Sequence, residues 1–386
     1  MAKGNWFRRS EQFVRDYTGG VGARDLKRLF DRDASHAFDV VTREHEGGEP
    51  QSDVGRFFHR AKILFLGLSF RLSPPRRVLF GLCIVLSVLA IQAVDKTSVE
   101  GGQFIFFHVA AVAGLVFLIV LELADRILVR DELEVARELQ RDLLPPHPPV
   151  IQGWDFAFSY RTANTIGGDY YDFIPLEDGR VAVVIGDASG HGIAAGLLMA
   201  IASSALKLAI DLDPSPASVA GFVNRALCRS GGNRSFMTMF YGLLDPQTGR
   251  MDYVSVGHPY PMLRRANGDV LELGEGGLPL GIREHLESPI GWVEVERGDQ
   301  LLLFTDGIAE TIDPTGADFG YDRIRRALAL GGSTAAIHDR IVRDMMNFQG
   351  DAVAHDDRSL VVISRAAALP ETPGAGGFGQ TEGHHG

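Results

Sequence analysis

Two long runs dominate this chain, VLFGLCIVLSVLAIQAV at 78–94 and FIFFHVAAVAGLVFLIVL at 104–121, and neither holds an acidic or basic side chain apart from the ionisable His108. At 17 and 18 residues, each is close to the length a helix needs to cross the roughly 30 Å of hydrocarbon in a bilayer. A pair of buried core helices has the same composition, but unbroken apolar runs with charged flanks fit a transmembrane hairpin better. The first run lies too far into the chain for a cleavable signal peptide. Arg71, Arg76 and Arg77 precede the first run and Arg126 and Arg130 follow the second, whereas the connection 95–103 carries Lys96 as its only cation. The positive-inside rule therefore predicts a multi-pass protein of the inner (cytoplasmic) membrane with both ends in the cytoplasm. The connection is too short for a folded extracellular sensor. His108 sits about one turn inside the boundary, where its ring reaches the interface by snorkelling.

The rest of the chain divides by pattern. Residues 1–70 mix Arg, Asp and Phe without a sustained period and define no fold, although 57–71 has the basic flanks and large apolar residues of an interfacial amphipathic segment. Residues 122–146 are rich in Glu, Arg and Leu and free of Gly and Pro until Pro145, which predicts a helical linker. Within it Val129, Leu133, Ala136, Gln140 and Leu143 alternate at spacings of four and three, the period of a coiled-coil seam. Two readings follow: a homodimer through this helix, or a face that packs on the next domain. From 147 to 366 short β-type runs such as VAVVIGD, FMTMFYGLLD and QLLLFTDG cluster around helical stretches at 194–210 and 215–229. Clustered strands and paired helices predict an α+β layered domain. Residues 367–386 are composed like a flexible terminus.

Composition excludes several functions. With 38 Lys and Arg against 49 Asp and Glu, the chain lacks the basic excess of a nucleic-acid binder. Cys83 and Cys228 follow no metal or redox spacing, so any metal chemistry uses oxygen ligands. Oxygen ligands are plentiful at strand ends. Asp169 and Asp172 lie in GGDYYDF, Asp187 ends VAVVIGD, Asp306 follows LLLFT, and Asp356 and Asp357 precede RSLVVI. One Asp in such a place is commonly a turn or cap residue. Several gathered at one end of a sheet repel one another unless hard cations neutralise them, which points to Mg²⁺ or Mn²⁺ and to two ions.

TIGGDYYDF, VVIGDASGHGIAAGLLMA, FMTMFYGLLD, VGHPYPMLRR, GLPLGI, LLLFTDGIAET, DFGYDRI and DDRSLVVI occur in this order. In that series the chain resembles the bacterial PPM-superfamily metal-dependent protein phosphatases of the SpoIIE branch, over about 137–365 and beginning with ARELQRDLLPP. The resemblance implies a β-sandwich flanked by helix pairs in αββα layers and a two-ion Mn²⁺ or Mg²⁺ centre. It also implies a serine/threonine phosphatase whose substrate is a phosphorylated regulatory protein, such as an anti-sigma-factor antagonist. Carried over by position, Asp187 bridges the ions with the Ala188 carbonyl as a further ligand, Asp169 holds one ion, and Asp306 and Asp356 hold the other. The resemblance makes Asp169, Asp187, Asp306 and Asp356 the catalytic set, serving attack by an ion-bridging water without a covalent phosphoenzyme. The chain departs from the pattern at Ser189 and Gly190, which separate Asp187 from His191, at Thr162 where many members have Pro, and at Val256 where many have Ala. His191 and His258 are expected to orient loops, and Arg161 is the candidate phosphate clamp. Two other readings stay open: a phosphatase-like sensor without turnover, and a metal-dependent phosphoesterase for a small molecule.

Overall fold

The computed structural model describes Ser69 and residues 72–94, 101–230, 235–274 and 276–367. The predicted amphipathic segment at 57–71, apart from Ser69, most of the connection 95–103 and the tail from 368 lie outside the described residues. The chain divides into two units, Met1–Leu128 and Val129–Gly386.

In the first unit, α1 (Pro74–Val94) and the start of α2 (Gly101–Asp142) contain the two apolar runs. Cys83 and Ala111 are buried between them, and a Cβ on Gly114 would stand 2.5 Å from Cys83 Sγ. Small residues thus let the two backbones approach closely. Val78, Val85, Ile91, Ile105, Phe106 and Phe117 remain largely exposed, an apolar surface that water does not favour. Arg76 pairs with Asp125 at 2.5 Å and with Glu122 at 3.6 Å. The predicted second span and linker form one helix of 42 residues, about 63 Å long at 1.5 Å per residue.

The second unit is built on two five-stranded antiparallel sheets. One has the order β1 (Trp154–Arg161), β10 (Arg358–Arg365), β9 (Gln300–Phe304), β6 (Met262–Arg264) and β7 (Val270–Glu272). The other has the order β2 (Asp169–Pro175), β3 (Val181–Ala188), β4 (Met237–Leu244), β5 (Arg250–Val256) and β8 (Ile290–Glu294). Side chains alternate faces along a strand, and the two cores follow that alternation. Leu301 and Leu303 of β9 and Val361 and Ile363 of β10 join the main core with Tyr171, Phe173, Val183 and Leu243 of the opposite sheet. Leu302, Phe304, Leu360 and Val362 face the other way, onto Ile324 and Leu328 of α6 (Tyr321–Ala329) and Ile337, Ile341 and Met345 of α7 (Thr334–Gln349). The outer face of the second sheet is covered by α3 (Ile193–Leu212) and α4 (Pro216–Ser230). The result is the expected αββα layering. Strands covered on both sides read as continuous apolar runs, as VAVVI of β3 does.

α7 starts on Ser333, whose hydroxyl accepts from Ala336 N at 3.2 Å, an ordinary N-cap. The four-residue α5 (Asp306–Ala309) begins directly after β9, so Asp306 opens a helical turn rather than closing a strand.

Candidate metal centre

The site grows from the pairing of β2 and β3. Asp169 and Asp187 are direct partners across that antiparallel ladder, an arrangement in which like charges destabilise a sheet. Asp169 is almost wholly buried. Its Oδ2 accepts from Thr305 Oγ1 and Ser359 Oγ, both at 2.8 Å. Thr305 stands at the N-cap of α5, yet its hydroxyl does not cap; it also accepts from Ser359 N at 2.9 Å. Asp169 is therefore tied across the sandwich to the other sheet, and its carboxyl is also within hydrogen-bonding reach of Asp187.

Asp306 at the start of α5 and Asp356 in the loop before β10 complete the group. Burial pushes the Asp187 carboxyl up to about 8, and Asp306, Asp356 and Asp357 push it the same way. Burial likewise lifts Asp306 to about 6, with Asp356 and Glu310 adding to it. Asp169 is held well above the usual carboxylate range by burial and by Asp187, against the pull of its two hydroxyl donors. Carboxyls perturbed by desolvation and by one another mark a place where positive charge is wanted.

The backbone beside them leaves room for an ion. Gly168 carries no side chain where a Cβ would stand 2.7 Å from the Ala188 carbonyl oxygen and 3.1 Å from Asp187 Oδ1. That cradle and an all-oxygen donor set fit a hard divalent cation. Among the described residues no three Asp, Glu, His or Cys side chains close on one point as a ready cage.

Two aspartates singled out in the sequence do other work. Asp172 is three residues from Asp169 and so on the opposite face of β2. There it accepts from Tyr170 Oη at 2.7 Å and from Phe173 N at 2.8 Å and lies 3.3 Å from Lys207 Nζ. Asp357 turns to the loop before β2, accepting from Ala163 N at 2.7 Å and Gly168 N at 2.6 Å. Of the histidines, His191 is exposed. His258 is buried 3.0 Å from Thr238 Oγ1, and burial lowers it to about 3, so it stays neutral. His258 lines a cleft of about 460 Å³ with Asp306, Tyr260, Glu310 and Tyr321. Arg161 lines a separate pocket of about 280 Å³ with Arg137, Arg141 and Tyr160.

The seam in the linker is partly used up. Gln140 is buried, and its carboxamide donates to Gly167 O at 2.5 Å and accepts from Gly167 N at 3.1 Å, while Leu143 packs on the main core. Thr305, Ser359 and Gln140 were not expected at the site. Thr305 adjoins Asp306 and Ser359 lies two residues after Asp357 in the motifs, but nothing in spacing says that their hydroxyls meet Asp169.

This sandwich, with aspartates gathered beside β2 and β3, has the PP2C-like fold of the PPM phosphatases. The SiaA-PP2C domain of Pseudomonas aeruginosa superposes with a TM-score of 0.55 at 19% identity, covering 62% of this chain and 98% of that one. Residues 177–366, just under half of the chain, match the family model of stage II sporulation protein E (SpoIIE), which supports a phosphatase domain of the SpoIIE branch of the PPM phosphatases. Among curated relatives, protein IcfG of Synechocystis is 24% identical over 70% of this chain and 46% of its own length. Phosphoserine phosphatase RsbU of Bacillus subtilis is 26% identical over 61% of this chain and 71% of its own. The chain thus spans less than half the length of the first of these relatives.

Proposed function

We propose that this protein is a membrane-anchored, divalent-metal-dependent phosphatase that removes phosphate from serine or threonine of a phosphorylated regulatory protein. The observation that carries the reading is the pairing of Asp169 with Asp187 across the β2–β3 ladder, beside a cradle that Gly168 keeps open before the Ala188 carbonyl, with Asp306 and Asp356 close enough to raise the Asp187 carboxyl. Asp187, the Ala188 carbonyl and Asp169 would hold one ion, and Asp187, Asp306 and Asp356 the other. Two Mn²⁺ or Mg²⁺ ions so held would offset charge on the phosphoryl oxygens and acidify the attacking water. Asp357 fixes the loop that carries Gly168, and neutral His258 supports the wall of the neighbouring cleft without adding charge to it. Cys228 directs its thiol to the Arg283 carbonyl at 3.5 Å, which suits hydrolysis without a cysteine nucleophile. The phosphoserine specificity named for RsbU supports phosphoserine as the group cleaved. The apolar exposed surface of α1 and the first part of α2 supports a bilayer hairpin with the phosphatase domain in the cytoplasm.

A homodimer through the linker rests on Val129, Leu133 and Ala136, since Gln140 and Leu143 are engaged within the chain's own domain. The test of the catalytic reading is Mn²⁺-dependent phosphate release from a phosphoserine protein in detergent. Wild type turns over, and Asp187→Ala and Asp306→Ala do not. Undiminished turnover in both variants would overturn the assignment.

A further inference from the structure

We infer that Gln140 is a positioning residue for the carboxylate site, acting from the last turns of α2 through both backbone groups of Gly167. The inference rests on the metal-site reading above. A carboxamide is matched donor for acceptor to a single peptide unit: Nε2 to Gly167 O at 2.5 Å and Oε1 from Gly167 N at 3.1 Å. Such a pairing fixes the orientation of the peptide plane as well as its place, and burial makes its loss costly because both backbone groups would be left unpaired.

The strand that follows leaves the clamp two residues later at Asp169. From the other side Asp357 holds the same loop by Ala163 N and Gly168 N. A Cβ on Gly167 would collide with the Tyr160 hydroxyl and lie 2.5 Å from Asp357 Oδ2. On α3, a Cβ on Gly196 would run into Ile166 and reach 3.6 Å from Gln140 Nε2. The loop 162–168 is therefore gripped between α2, α3 and Asp357 with no slack. What this fit sets is the position of Gly168 against Ala188 O and Asp187 Oδ1, the surface that receives the ion. Groups that orient the ligands of a metal site typically change its affinity by about 10- to 100-fold when removed.

The experiment uses the full chain in detergent and Mn²⁺ as the probe. Gln140→Leu keeps the bulk and removes both hydrogen bonds; Gln140→Glu keeps the shape and the acceptor and, with its carboxyl protonated, a donor to Gly167 O as well, and circular dichroism beside wild type checks that each variant is folded. Leu139→Ala, on an exposed position of the same turn, is the control. Mn²⁺ binding is read by calorimetry without substrate, and amide exchange is read over 162–169 and over β4. The expected result is Mn²⁺ affinity about tenfold weaker in Gln140→Leu, with a smaller shift the same way in Gln140→Glu. Exchange should quicken at 162–169, with β4 and the control unchanged. Equal Mn²⁺ affinity in wild type and both variants would overturn the inference while leaving the metal site standing, and would make Gln140 a packing residue only. Absence of Mn²⁺ binding by wild type would overturn the metal reading itself.

Discussion

Asp169 and Asp187 face each other across the β2–β3 ladder, one carboxyl buried and one half-buried, in a register that sets one against the other. Neither can be moved without breaking the ladder. Folding therefore concentrates negative charge at a fixed point, and the stability of the metal-free protein should report it.

In the folded state the buried His258, lowered to about 3, is neutral throughout, and the ordinary imidazole of the unfolded chain adds a slope of opposite sign of roughly 0.4 kcal/mol between pH 6.5 and 8. Asp187 keeps its proton in the folded state up to about 8, whereas the unfolded chain has lost it. The folded state thus binds more protons, and stability falls as pH rises through this window, by about 2 kcal/mol between pH 6.5 and 8. Denaturant unfolding of chelator-treated protein checks it. Asp187→Asn should flatten the slope, and saturating Mn²⁺ should reverse it, because ion binding strengthens as the ligands lose protons.

Gly307 follows Asp306 in α5, and a Cβ there would press onto the Asp357 backbone carbonyl. Backbone cannot swing aside as a side chain can, so Gly307→Ala should cost about 1–3 kcal/mol or more of stability. Thermal unfolding beside wild type measures it, and an unchanged midpoint would show that the turn has room.

Asp357→Ala removes a carboxylate acceptor from Ala163 N and Gly168 N. With about 1.5–3 kcal/mol for a hydrogen bond to a charged group, the loss should be at least about 3 kcal/mol. Asp357→Asn, which keeps one acceptor oxygen, should lose roughly half as much. The two variants compared by urea unfolding separate charge from shape.

Leu133→Cys tests the linker. In a parallel pair, oxidation should give a symmetric disulfide dimer in detergent-solubilised membranes. A purely monomeric product would show that α2 serves its own chain alone. Membrane extraction of the same preparation checks the anchor: the full chain should stay with lipid through alkaline carbonate, and a chain lacking 74–121 should be released.

Much of the site was legible because its residues travel in short strings. GGDYYDF, IGDASGHG, FTDG and DDRSL each place an Asp beside glycine or a strand end; Asp169 and Asp187 meet across the β2–β3 ladder, and Asp306 and Asp356 lie near enough to raise the Asp187 carboxyl. Asp172 misled because it shares a string with Asp169; the alternation of strand faces sends it to Tyr170 and Lys207 instead. Gln140 misled because heptad spacing describes a helix face and says nothing of what covers it.

Local chemistry alone determined where apolar runs form helices and where several of the strands run, because these follow from residue type and period over a few neighbours. Only the tertiary structure decided that two helices of similar hydropathy meet different fates. Ile193–Leu212 is half buried against a sheet, while the apolar stretch that begins α2 is left almost bare. It alone also brought Thr305 and Ser359 to Asp169, and Gln140 to Gly167. Those meetings join residues up to 190 positions apart, and contact across such a distance is set by how sheets and helices stack rather than by any local preference of the chain.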